Sequence, residues 1–124
     1  MESRDRQADL DEFSRQVASV RDTIESFGWE IVEAEDAVTV HRRFKNGKLR
    51  KGADAHFTYS DTEYAYSDFN DEGEFVEVFQ PSQRPWSVSG ASLTRASTFK
   101  SVEKAARKFL DVCHDDAKLF GLMD

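Results

Sequence analysis

The chain is 124 residues long, 39% hydrophobic and 33% charged, and its acids outnumber its bases for a net charge of −7. That length suits one domain rather than two, and ten Phe exclude a disordered polymer. The acidic balance opposes diffuse binding to nucleic acid or an anionic membrane, and the single cysteine, Cys113, excludes an internal disulfide.

The lone thiol fits a reducing compartment. The opening residues MESRDRQADLDEF lack the apolar core of a signal peptide, and no apolar run approaches the ~20 residues that span a bilayer. A cytoplasmic protein is expected. Its charges are segregated along the chain. Residues 1–40 sum to −7, residues 41–52 hold six cations and no acid, residues 61–79 hold seven acids and no cation, and residues 80–110 sum to +5.

Leu10, Phe13, Val17, Val20, Ile24 and Phe27 recur every three or four residues and predict a helix from about Arg4 to Phe27. Gly28 is placed to end it. Trp29–Ala34 and Ala37–Phe44 read as strands. Asn46-Gly47 predicts a tight hairpin of type I′, which needs positive φ at both central residues. That turn sets Phe44 opposite Leu49, Arg42 opposite Lys51, Val40 opposite Ala53 and Val38 opposite Ala55. Phe57 and Tyr59 then share their face.

A turn at Ser60–Glu63 would bring Tyr59 opposite Tyr64 and Phe57 opposite Tyr66, continuing the sheet with four aromatics on the core face. Asp71-Glu72-Gly73 reads as a second turn, leading into Phe75–Gln80. In that register Val76 and Val78 join the core face. Phe69, Phe75 and Phe79 lie on the other, where they need a cover or a partner. Pro81 and Pro85 break the meander. Trp86–Arg95 is expected as a loosely fitting edge strand. Val102, Ala106, Phe109, Cys113, Ala117 and Phe120 line a last helix from about Ser101, its N-cap, to Phe120. The expected fold is one α+β domain over residues 1–124: an N-terminal helix, an antiparallel β-meander of about five to six strands, and a C-terminal helix.

Chemistry is sparse. His41, Arg42, Arg43, Lys45, Lys48, Arg50 and Lys51 form a basic hairpin that can grip phosphates or an acidic protein surface. The bland alternative is a solvated tip neutralised by the chain's own acids or by a dimer mate. His41, Asp54 and His56 are expected on the polar sheet face, but they lack the spacing of metal-ligand or catalytic motifs. Cys113 falls on an apolar helix side, as a structural thiol does. No G-x-S-x-G elbow and no phosphate-binding glycine loop occurs.

No catalytic residue, metal site or cofactor is therefore expected. The expectation is a small non-enzymatic protein-binding or regulatory module working through charge-segregated surfaces, with Phe69, Phe75 and Phe79 as its interface. Its partner would be an unidentified protein or a second copy of the chain, and not a membrane. The alternatives are nucleic-acid binding through the hairpin 41–52, or an acidic inhibitor that imitates nucleic acid with 61–79.

Overall fold

In the computed structural model, which describes residues 5–50 and 52–121, the Asp5 side chain accepts a hydrogen bond from the Ala8 N–H (3.1 Å) and opens helix α1 (Arg6–Ser26). The predicted start at Arg4 lies outside the described residues. The helix buries Leu10, Phe13, Val17 and Ile24, while Val20 and Phe27 are partly buried at the margin. Gly28 takes φ 87° immediately after it, a backbone that a side chain would strain.

The strands follow in order: β1 (Trp29–Ala34), β2 (Ala37–Arg42), β3 (Ala55–Tyr59), β4 (Thr62–Phe69), β5 (Phe75–Pro81), β6 (Trp86–Gly90) and β7 (Ser97–Phe99). Helix α2 (Val102–Leu119) closes the chain, with Ser101 as its N-cap. The fold is α+β, as expected, but the strands do not form one meander. Five make an antiparallel sheet in the order β1-β2-β3-β6-β7, and β4 pairs only with β5 in a separate two-stranded ribbon. Among the described residues, no helix is long and apolar enough to cross a membrane.

Both helices pack on one face of the sheet. Val38, Val40, Ala55, Phe57, Tyr59, Trp86 and Val88 alternate inward to meet them. The centre is aromatic. Phe57 stacks on Phe13 (4.8 Å between centroids) and Phe109 (5.4 Å), and Trp86 lies against Phe13 (5.6 Å) and Tyr59 (4.7 Å).

Two expectations about the strands are corrected. The first concerns the neighbour of β3. Tyr59 pairs with Trp86 and Phe57 with Val88, not with Tyr64 and Tyr66, so Trp86–Gly90 is an interior strand and not a loose edge. Trp86 and Val88 fill the core with apolar surface, where two tyrosines would have brought in hydroxyls needing partners. The Ser60 N–H accordingly donates to the Pro85 carbonyl (2.8 Å) instead of turning the chain back on itself.

The second correction concerns the basic hairpin. Of the two central turn residues, only Gly47 has positive φ (84°), and Asn46 does not. The Gly47 N–H donates to the Phe44 carbonyl and the Phe44 N–H to the Lys48 carbonyl (both 2.8 Å), giving a longer loop than type I′. Arg43, not Phe44, bridges to Leu49. Val40 then pairs with Ala55 and Val38 with Phe57, two residues beyond the expected register. The slip has a local cause: the chain takes four residues from Arg50 to Asp54 where β2 takes two from Arg42 to Val40, and Gly52 at φ 96° absorbs the excess. A slip of two keeps every side chain on its face, so the core face is as expected.

Where β6 runs under α2, Gly90 is obligatory. A Cβ there would overlap Val112 Cγ1 and come within 2.9 Å of Asp116 Oδ2. The buried Asp116 carboxylate accepts from the Ala91 N–H (Oδ2, 3.1 Å) and the Ser92 N–H (Oδ1, 2.7 Å), tying the β6–β7 turn to the helix.

Candidate functional site

The ribbon leaves and re-enters the body at one point. Asp61 O accepts from the Ser82 N–H (2.9 Å). Arg6 in α1 pairs with Asp61 (3.0 Å) and Asp36 (3.6 Å) and lies over the Tyr59 ring, whose hydroxyl donates to Asp9 (3.1 Å). The hydrogen bond to Asp61 raises the Arg6 pKa above its ordinary value, with the charges of Asp61, Tyr59 and Asp36 adding to it and desolvation opposing. Beyond that base, β4 and β5 pack on each other and no other element makes an extended contact with them.

Within the ribbon a bulge sorts the aromatics. Tyr64 pairs with Phe79, the register then slips, and Tyr66 pairs with Val78. Tyr64 and Tyr66 therefore point to opposite faces, although two residues apart in one strand. One face gathers Tyr64 against Phe79 (6.1 Å) and Phe69 against Phe75 (5.9 Å), both edge-on, and the Tyr64 hydroxyl hydrogen-bonds Ser67 Oγ. These four rings are 54–67% exposed. The other face carries Tyr66 with the half-buried Val76 and Val78, which belong to the ribbon and not, as expected, to the core.

The tip is ordered by Asn70, whose Oδ1 accepts from the Glu72 N–H (3.0 Å) and the Glu74 N–H (2.9 Å). Acids run the length of the ribbon: Glu63, Asp68, Asp71, Glu72, Glu74 and Glu77. None has a cation partner among the described residues, and Glu63 accepts only a Gln80 amide.

Phe69, Phe75 and Phe79 are thus exposed together, as the sequence implied, and Tyr64 joins them. The sequence pattern puts Tyr64 and Tyr66 on the core face, but both rings are more than half exposed on the ribbon. One signal points the other way: Asp68 and Glu77 put charge on both faces of 62–81, so neither face can line an apolar core.

The basic hairpin is built differently. Asp54, with its side chain 8% exposed, accepts from the Arg42 N–H (3.2 Å) and lies between the guanidinium groups of Arg42 (3.9 Å) and Arg50 (3.2 Å). The Arg42 guanidinium sits over the Phe120 ring at 3.4 Å and that of Arg50 at 5.6 Å. Arg43 reaches Glu30 (3.4 Å) and the Gly47 carbonyl (3.0 Å). Lys45 and Lys48 have no acid partner among the described residues, and Lys51 lies outside them. Three of the hairpin's arginines are therefore engaged with their own chain.

Phe120 holds this latch, so Phe120→Ala should cost ~0.5–2 kcal/mol through the lost arginine stacking. Hydrogen exchange should read faster exchange at the Phe44 and Arg50 amides than at Phe57. Unchanged exchange at both would rule out the latch.

His41 pairs across the sheet with Glu30 and His56 with Thr39, while Asp54 is taken up by the arginines. Among the described residues, no group of His, Cys, Asp or Glu is arranged to hold a metal ion. The Cys113 thiol is buried, and burial together with the nearby Asp116 raises its pKa far above the usual thiol value. No family model, curated protein or solved structure matches this chain.

Proposed function

We propose that the chain is a small non-enzymatic protein-binding module whose contact surface is the β4–β5 ribbon. The observation that carries this reading is a two-stranded ribbon standing off the sheet with Tyr64, Phe69, Phe75 and Phe79 more than half exposed. An isolated hairpin is marginal in water, and a contiguous aromatic patch on a soluble surface marks an interaction site. The six unpaired acids define the partner: a basic surface with an apolar groove, since opposed charges steer encounter and select register. The competing use of the basic hairpin on nucleic acid is weakened, because Arg42, Arg43 and Arg50 face Asp54 and Glu30.

The test is affinity capture from host lysate, with nuclease treatment, comparing the parent with Tyr64→Ser/Phe69→Ser/Phe75→Ser/Phe79→Ser. Proteins retained by the parent should be lost by the variant, whose thermal midpoint should stay within about 4 °C. Identical capture by both proteins would remove the ribbon from consideration. A nucleic-acid-binding protein among those lost, displaced by competing duplex, would mark the ribbon as a phosphate mimic.

A further inference from the structure

We infer that the ribbon's occupant is a second copy of this chain: in a reciprocal pair, each ribbon docks on the cationic corner that β7 and the first turns of α2 form on its mate. The inference rests on the ribbon being the binding surface and adds the identity of what it binds.

Three surfaces of a second copy are open to a docking strand, and charge decides among them. The first is the other ribbon, where Asp68, Glu74, Glu77 and their neighbours would meet their own duplicates, and like charges brought together repel. The second is the free edge of the sheet at β1, whose Glu30 and Glu33 already hold Arg43 and Arg21, with Glu35 just beyond the strand. It offers the ribbon's acids no free cation. The third is the opposite edge, at β7. There Arg95 and Lys100 flank a three-residue strand, and Lys104, Arg107 and Lys108 follow on the helix packed beside it. None of these five cations has an acid partner among the described residues, and Glu103 is the one acid among them.

Geometry agrees with charge. The outer edge of β7 has unpaired backbone groups, and so do both outer edges of the ribbon. An extended strand added to a free edge satisfies both sets at once. The ribbon does not serve its own corner, since no ion pair joins the two within the chain among the described residues. A ribbon and a corner on each protomer satisfy one another under a two-fold axis, which closes the assembly at a pair.

The size is also adequate. Each half-exposed aromatic offers on the order of 100 Å² of surface. Four from each protomer, with the strand backbone around them, approach the ~1,200–2,000 Å² of a standard stable interface.

Sedimentation across a wide concentration series, at low and at high salt, tests this with two charge reversals. One is on the ribbon, Glu74→Lys/Glu77→Lys; the other is on the corner, Lys104→Glu/Arg107→Glu. All four residues are exposed, so circular dichroism should report an unchanged fold. The parent should sediment at twice its 14.2 kDa chain mass at low salt and dissociate at high salt. Each reversal alone should weaken pairing at least ~tenfold, and an equimolar mixture of the two should restore it, because each altered ribbon then meets an altered corner. A parent that stays monomeric at every concentration overturns the inference and leaves the ribbon reading to the capture experiment. A dimer indifferent to both reversals, or a mixture that stays monomeric, also overturns it. If that dimer is nevertheless lost in the four-serine ribbon variant, the ribbon binds a different surface.

Discussion

Replacing Phe109 with alanine should destabilise the protein by about 3–5 kcal/mol, the usual cost of emptying a buried phenylalanine site. The ring is fully buried and stacks on Phe57, which in turn stacks on Phe13 and lies 6.1 Å from Trp86. One side chain thus joins α2 to the sheet and, through Phe57, to α1. The buried cluster it belongs to is rich in rigid rings and β-branched residues, Val112 and Val88 among them, which do not readily flow into the space it leaves. Domains of this kind hold only ~5–15 kcal/mol in all, so the loss is a large share of the total. Equilibrium denaturation in urea reads it directly. A midpoint equal to the parent's would mean that α2 does not present this face to the core.

Loss of the Asp116 carboxylate should be nearly as damaging, though no apolar contact is at stake. The side chain is 0% exposed, and its two oxygens receive the Ala91 and Ser92 N–H groups. Asp116→Ala removes the charged acceptor from both N–H groups, at ~1.5–3 kcal/mol for each hydrogen bond to a charged group. Asp116→Asn keeps one acceptor oxygen and should retain about half of the lost stability. Native-state hydrogen exchange should localise the damage, with the Ala91 and Ser92 amides exchanging faster before the core does. An alanine variant as stable as the parent, with both amides still protected, would refute this role.

What could be read from the residues, and what could not, follows from the range of the forces involved. The helices were legible because their signals are local: Leu10 to Phe27 repeat at helical spacing, and Ser101 caps the second helix. The inward face of β2 and β3 was legible for the same reason, since alternation survives a register slip of two. The partner of β3 was not. Tyr64 and Trp86 lie at very different distances along the chain from Tyr59, yet either could complete the pattern of alternating aromatics. Only the competition for core volume separates them. Asp116 was hidden in a stripe of acids and its role depends on a turn 24 residues away. In the candidate site, Phe69, Phe75 and Phe79 were visible as apolar residues facing away from the sheet. Tyr64 reached the same face only through a bulge, which leaves no mark on the sequence. The hairpin's arginines read as a free basic tip because Asp54 and Phe120, which restrain them, come from elsewhere in the fold.

The joint between Asp61 and Ser82 has a consequence for how this protein can change over time. The ribbon's two ends meet at the hydrogen bond from Ser82 to Asp61, so residues 62–81 form an excursion that starts and stops at one place. A loop whose ends are already together tolerates changes of length at little entropic cost, roughly 0.6 kcal/mol for each doubling. The five-stranded sheet and both helices close around their core without any side chain from it. Substitutions, lengthening or wholesale exchange of the excursion are therefore hardly screened by the need to fold. In related chains this stretch should diverge faster than the scaffold that presents it, with Arg6 and the residues of the joint retained as the fixed mount for an exchangeable tool.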